Sequence, residues 1–160
     1  MKNGSTLFLR LAVILLGLPV LALCIFLVPN IGDFAAELYP EMEFIKYLVI
    51  VFFYVTAIPF YYALYQAFKL LNFIDQNLAF SELSVHALKT IKLSAVTLGT
   101  LYIFGMPLFY LVAERDDAPG IILIGMIIIA ASIVVAVFAA VLQKLLQQAI
   151  NYKKENELTV

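Results

Sequence analysis

Residues 118–143 read APGIILIGMIIIAASIVVAVFAAVLQ, 26 consecutive positions without a charged side chain. A helix of about 20 apolar residues crosses a hydrocarbon core of ~30 Å, so this stretch is long enough to span a bilayer. Lipid offers exposed backbone groups no hydrogen bonds, which leaves helices and closed barrels as the structures that can cross. Barrel strands alternate apolar and polar residues, and this block does not alternate. It reads as a transmembrane helix, and the rest of the chain repeats the pattern: residues 11–28, 47–68 and 93–113 are further uncharged runs of 18, 22 and 21 residues. Of all 160 residues, 64% are apolar and 13% charged, against roughly half and a quarter in a soluble domain. The expected fold is all-α, one integral membrane domain: a four-helix transmembrane bundle with spans at about 7–28, 45–68, 93–113 and 119–143.

The first run is longer than a signal-peptide core and no small-x-small cleavage site follows it, so it is expected to remain as an anchor. Cys24 is the single cysteine and lies inside this run. Leu23 stands where a lipoprotein signal needs a small residue, so Cys24 reads as a plain lipid-embedded side chain that forms no intramolecular disulfide.

Charge sets the orientation. Lys2, Arg10, Lys69, Lys89, Lys92, Lys144, Lys153 and Lys154 lie in the N-terminal segment, the connection 69–92 and the tail 144–160, while only Lys46 and Arg115 lie near the other two connections. By the positive-inside rule both termini and the connection 69–92 are cytoplasmic, and 29–44 and 114–118 are outer loops. The longer outer loop mixes acids with Ile31, Phe34, Leu38, Tyr39 and Met42 and reads as a segment lying at the outer interface. Pro40 breaks the helical spacing of Glu37 and Glu41, which argues against a divalent-cation site there. In the shorter one, Asp117 reads as an N-cap of the fourth helix and Pro119 as a first-turn residue.

Helical pattern continues past the spans. Leu70, Leu71, Phe73 and Ile74 prolong one apolar face of the second helix to about Gln76, where Asn77 suits a helix end. Ser81 and Glu82 suit the start of the next, in which Leu83, Ala87, Leu88 and Ile91 form one side and Glu82, His86 and Lys89 the other. The fourth helix continues through Leu142, Leu145, Leu146, Ala149 and Ile150. Helices two, three and four are thus expected to extend into the cytoplasm, either packed together or lying on the headgroups with their lysines snorkelling.

No ionisable side chain lies centrally in a span, which argues against proton-coupled transport or ion conduction. Pro19, Pro59 and Pro107 lie within spans and release carbonyls. Tyr54, Tyr61 and Tyr65 recur along helix two with Tyr47. They read as a packed seam whose hydroxyls seek Ser94, Thr97, Thr100 or the Val55 carbonyl, or as a pocket for a lipophilic ligand. Ser132, Ala136 and Ala140 form a close-packing stripe for another helix of this chain or of a second copy. His86, the sole histidine, has no companions for a triad or a zinc site, and no phosphate loop or nucleotide fingerprint occurs. No enzyme activity, no cofactor, no metal and no direct nucleic-acid binding are expected.

The stretches 70–92 (LLNFIDQNLAFSELSVHALKTIK), 114–120 (ERDDAPG) and 136–160 (AVFAAVLQKLLQQAINYKKENELTV) resemble the bacterial membrane family known as domain of unknown function 2975. The resemblance covers most of the chain after Phe68 and brings no assigned catalytic or binding residues. It implies a multi-pass protein of the cell membrane. In firmicute-like bacteria such genes often neighbour a small helix-turn-helix regulator, which the resemblance implies as a partner. The expected function is that of a non-enzymatic regulatory or scaffold protein, holding a soluble partner on Asn77, Phe80, Leu83, His86 and Lys89. The alternatives are a carrier of a lipophilic ligand built on the tyrosines, and a structural subunit or homo-oligomer pairing through the Ser132 stripe.

Overall fold

The computed structural model describes the backbone of residues 4–159 and the side chains of residues 6–158. Every regular element among them is helical. Helix α1 (Gly4–Ala22), a π-helical turn (Leu23–Leu27) and α2 (Val28–Leu38) run on as one rod, followed by α3 (Ile45–Asp75), α4 (Glu82–Asp116) and α5 (Gly120–Thr159). The four rods contain candidate spans of 33, 31, 35 and 39 residues. At 1.5 Å per residue these measure roughly 46 to 59 Å, more than a hydrocarbon core of ~30 Å covers.

The rods stand in chain order as an open row. α1 and α2 pack on α3, α3 on α4, and α4 on α5; α2 also reaches α4, whereas α5 packs on α4 alone among the described residues. The four helices expected from sequence take the form of this open row for a physical reason. An apolar face turned to lipid needs no protein cover, so nothing drives α5 round to meet α1. α4 is the most enclosed rod, with Ser94, Ala95, Gly99, Tyr102, Gly105 and Phe109 buried along it.

Two cores hold the row together. Near the turn at 39–44, Ala35, Tyr39, Ile45 and Val49 are buried and backed by Leu108, Leu111 and Val112 of α4. Midway along, Phe52 of α3 meets Tyr102 edge to face, with ring centroids 5.1 Å apart, and Phe109 at 6.0 Å. Such pairs add about 0.5–1.5 kcal/mol each beyond the area they bury. Gly105 permits the approach, since a Cβ there would fall on the Phe52 ring.

The first rod differs from the sequence expectation. Residues 29–44 read as a loop, yet helix continues to Leu38 and only 39–44 turn. The π-helical turn accounts for this. The Val28 N–H donates to the Leu23 carbonyl, a five-residue step that accommodates one extra residue in the rod. Pro29, next in that register, has no N–H to offer the Cys24 carbonyl. The Tyr54 hydroxyl donates to that carbonyl instead, at 2.9 Å.

Both remaining turns use a left-handed residue. Asn77 (φ 60°) follows α3 and Asp117 (φ 52°) ends α4. Asp117 is therefore a C-terminal cap and not the N-cap expected from sequence. Its own N–H and that of Ala118 bond back to Glu114 and Ala113, as in a Schellman-type end, and α5 begins only at Gly120. Ser81 is extended and precedes α4, but its hydroxyl donates to the Leu78 carbonyl at 2.5 Å and does not cap the helix.

Candidate functional site

Four passes bring both ends of the described chain to one end of the row, together with the connection between α3 and α4. Here the Arg10 guanidinium of α1 lies 2.6 Å from the Asp75 carboxylate, the last residue of α3, with side-chain exposures of 19% and 7%. The same guanidinium donates to Asn72 Oδ1 at 2.5 Å. α4 and α5 are tied at this end through Glu82, which accepts from Gln147 at 3.2 Å and lies 3.8 Å from Lys154 Nζ. The sequence supplied these charges individually but no pairing, because Arg10 and Asp75 are 65 positions apart and meet only through the register of two rods.

Asn77, Phe80, Leu83, His86 and Lys89 are all exposed on this connection and on the first turns of α4. Phe80 is 61% and Leu83 53% exposed. Leu83, assigned from sequence to the inward stripe, faces outward. The inward stripe consists of Ser84, Val85, Ala87 and Leu88, and the Ser84 hydroxyl donates to the Leu78 carbonyl at 2.9 Å. A serine held inward by a turn carbonyl displaces the leucine beside it, and composition alone gives no sign of this. The consequence is a surface on which two large apolar side chains and an imidazole stand outward beside the tight turn.

The tyrosines of α3 divide. Tyr54 donates to the Cys24 carbonyl, and Tyr61 donates to the Gly17 carbonyl at 2.7 Å, so both hydroxyls join α3 to the first rod. The acceptors expected on α4, and the Val55 carbonyl, are not used by them. Ser94 is buried in α4, and the Thr97 hydroxyl donates to the Leu93 carbonyl of its own helix. Tyr65 is 59% exposed with the Lys69 ammonium 5.7 Å from its ring centroid. The three rings therefore do not converge on one cleft. On α5, Ser132 is buried and faces Gly99 of α4, while Ala136 and Ala140 are half-buried along the same helix.

The opposite end of the row carries its own clasp. Arg115 of α4 pairs with Glu41 at 2.7 Å, donates to the Leu38 carbonyl at 3.0 Å and lies over the Tyr39 ring at 4.1 Å. The Tyr39 hydroxyl donates to the Leu111 carbonyl at 2.6 Å. A hydrogen bond from its own backbone N–H, and then one from Arg115, hold the Glu41 carboxyl below its ordinary value of 4.5. Lys46 pairs with Asp33 at 2.8 Å, joining α3 to α2. Among the described residues no three His, Cys, Asp or Glu side chains gather as a metal-binding group.

The four long apolar helices and the comparisons agree on the class. The chain belongs to the membrane protein family described as protein of unknown function (DUF2975), whose sequence profile matches residues 30–160. It is 64% identical, over all 160 residues and the full length of both chains, to the uncharacterised membrane protein YoaS of Bacillus subtilis (strain 168). With four helices long and apolar enough to cross, it is a multi-pass membrane protein. No solved structure matches it.

Proposed function

We propose that the protein is a non-enzymatic regulatory or scaffold protein with both termini in the cytoplasm, where the surface around Asn77, Phe80, Leu83, His86 and Lys89 holds a soluble partner such as a small helix-turn-helix regulator. The single observation that carries this reading is the outward stance of Phe80 and Leu83. Lipid explains exposed apolar side chains along the spans. Phe80 and Leu83 lie instead at the end of the row where Lys69, Asp75, Lys89 and Lys92 collect, and there an exposed apolar patch reads as an interaction surface. The charge distribution over short connections supports the cytoplasmic placement.

The test has two arms. A cysteine placed at Phe80 in a Cys24→Ser background should react with a membrane-impermeant maleimide in inverted vesicles and not in intact cells. Reaction from outside, or protection from both sides, overturns the placement. The tagged wild-type protein should also co-purify a soluble regulator that Phe80→Ser with Leu83→Ser releases. Retention of the same protein by that variant removes the proposed surface.

A further inference from the structure

At the level where the spans of α4 and α5 end, an open surface groove of about 370 Å³ runs along α5, lined by Ala140, Gln143, Lys144, Gln147 and Gln148 and bordered on the α4 side by Lys92. Lys92 is the last charged residue before the uncharged run 93–113, and Lys144 the first after 118–143. Because α4 and α5 are antiparallel neighbours, the two lysines come to one groove, at the boundary between the apolar runs and the charged segments that follow them.

We propose that this groove binds the phosphate-bearing headgroup of an anionic phospholipid. Its volume falls within the ~300–1,000 Å³ typical of ligand sites, and no carboxylate is among its lining residues. Glu82, which accepts from the lining residue Gln147, is met by Lys154. Gln147 also donates to Asn151, which leaves the carboxamides of Gln143 and Gln148 to serve the headgroup oxygens while the two lysines supply charge. The geometry also provides for acyl chains. Ala140, Lys144 and Gln148 continue, at steps of three and four residues, a line that begins at Ile133 and Val137, which are 54% and 56% exposed. One side of α5 thus presents an apolar track leading into a cationic groove, the order of groups along a phospholipid. A free phosphate ion would use the groove and ignore the track. The assignment does not depend on the soluble-partner reading.

Thermal unfolding of the full chain in a neutral detergent tests it, with dioctanoyl phosphatidylglycerol, dioctanoyl phosphatidylcholine and inorganic phosphate as the added probes. Phosphatidylglycerol at a hundredfold excess over its Kd should raise the unfolding midpoint by about 5 °C or more, with phosphatidylcholine and inorganic phosphate far behind. Lys92→Gln with Lys144→Gln should abolish the rise, each single variant should weaken it, and Lys69→Gln with Lys153→Gln should leave it intact. Equal shifts from the two lipids, or a rise that survives in the groove variants, overturn the proposal. So does an equal loss in the Lys69 and Lys153 variant, which would mean attraction by bulk charge. A shift from inorganic phosphate matching that of phosphatidylglycerol overturns the lipid assignment in favour of a phosphate site. The singles and the three-probe comparison on the wild type decide the matter if the double variant does not fold.

Discussion

The Arg10 guanidinium and the Asp75 carboxylate meet at 2.6 Å, linking the second turn of the first rod to the last residue of α3. α1 has few other holds on the protein: most of its apolar side chains face outward, and among the described residues it packs only on α3 and on the π turn that continues it. Removing one partner of a largely buried ion pair costs up to about 3–5 kcal/mol. Arg10→Ala should therefore lower stability by an amount of that order in denaturant titrations in detergent. The reversed pair, Arg10→Asp with Asp75→Arg, should recover part of it; no recovery would mean that the contact matters for packing and not for charge.

The tyrosine hydroxyls should separate by position. Tyr54→Phe and Tyr61→Phe each delete a hydrogen bond to a carbonyl of the first rod and should each cost about 0.5–1.5 kcal/mol. Tyr65→Phe should change stability by much less. Unfolding midpoints of the three purified variants check this, and equal effects at all three positions would contradict the division.

Gly105 and Gly17 make a matched comparison. A methyl group at Gly105 would fall on the Phe52 ring, which Tyr102 and Phe109 brace, whereas at Gly17 the nearest atom is the end of the Leu64 side chain at 3.3 Å. Gly105→Ala should lower stability by about 1–3 kcal/mol through overpacking. Gly17→Ala should be near neutral or stabilising, because alanine also favours helix by up to about 1 kcal/mol over glycine.

Acid should loosen the Arg115 clasp. The Glu41 carboxyl titrates below 4.5 in the folded protein, so its contribution is present above that value and is lost as pH falls through the lower folded value. Unfolding midpoints recorded between about pH 6 and 3 should fall more steeply for the wild type than for Glu41→Gln, which has nothing to protonate. Parallel curves would show that other carboxylates dominate the acid response.

Apolar run length reveals four rods, since it needs no knowledge of neighbours: residues 118–143 admit one reading. Turn chemistry was half legible. Asn77 announced a helix end because its side chain tolerates the left-handed region, while Asp117 suits either end of a helix, and only the amides of 117 and 118 turning back to α4 decide between them. The candidate surface was less legible still. Leu83 obeys the inward periodicity and is nevertheless outside, because Ser84 is drawn in by the Leu78 carbonyl. Pairings such as Arg10 with Asp75, or Tyr54 with the Cys24 carbonyl, depend on the relative rotation of separate rods, which no single helix encodes.

The π-helical turn at Leu23–Leu27 acts as a phase corrector. Each residue turns a helix by about 100°, and the first rod is fastened to α3 near one end by Arg10 and at the other by the Asp33 to Lys46 pair. Deleting one residue within that turn would restore uniform winding and leave the two fastenings close to alignment, because the turn already takes up one residue more than an α-helix of the same span. The irregular turn is thus the allowance that lets a single stiff rod carry a surplus residue and still dock twice, and shortening it by one codon should be tolerated far better than deleting one residue from the uniform helix on either side, which would swing the fastenings about 100° apart.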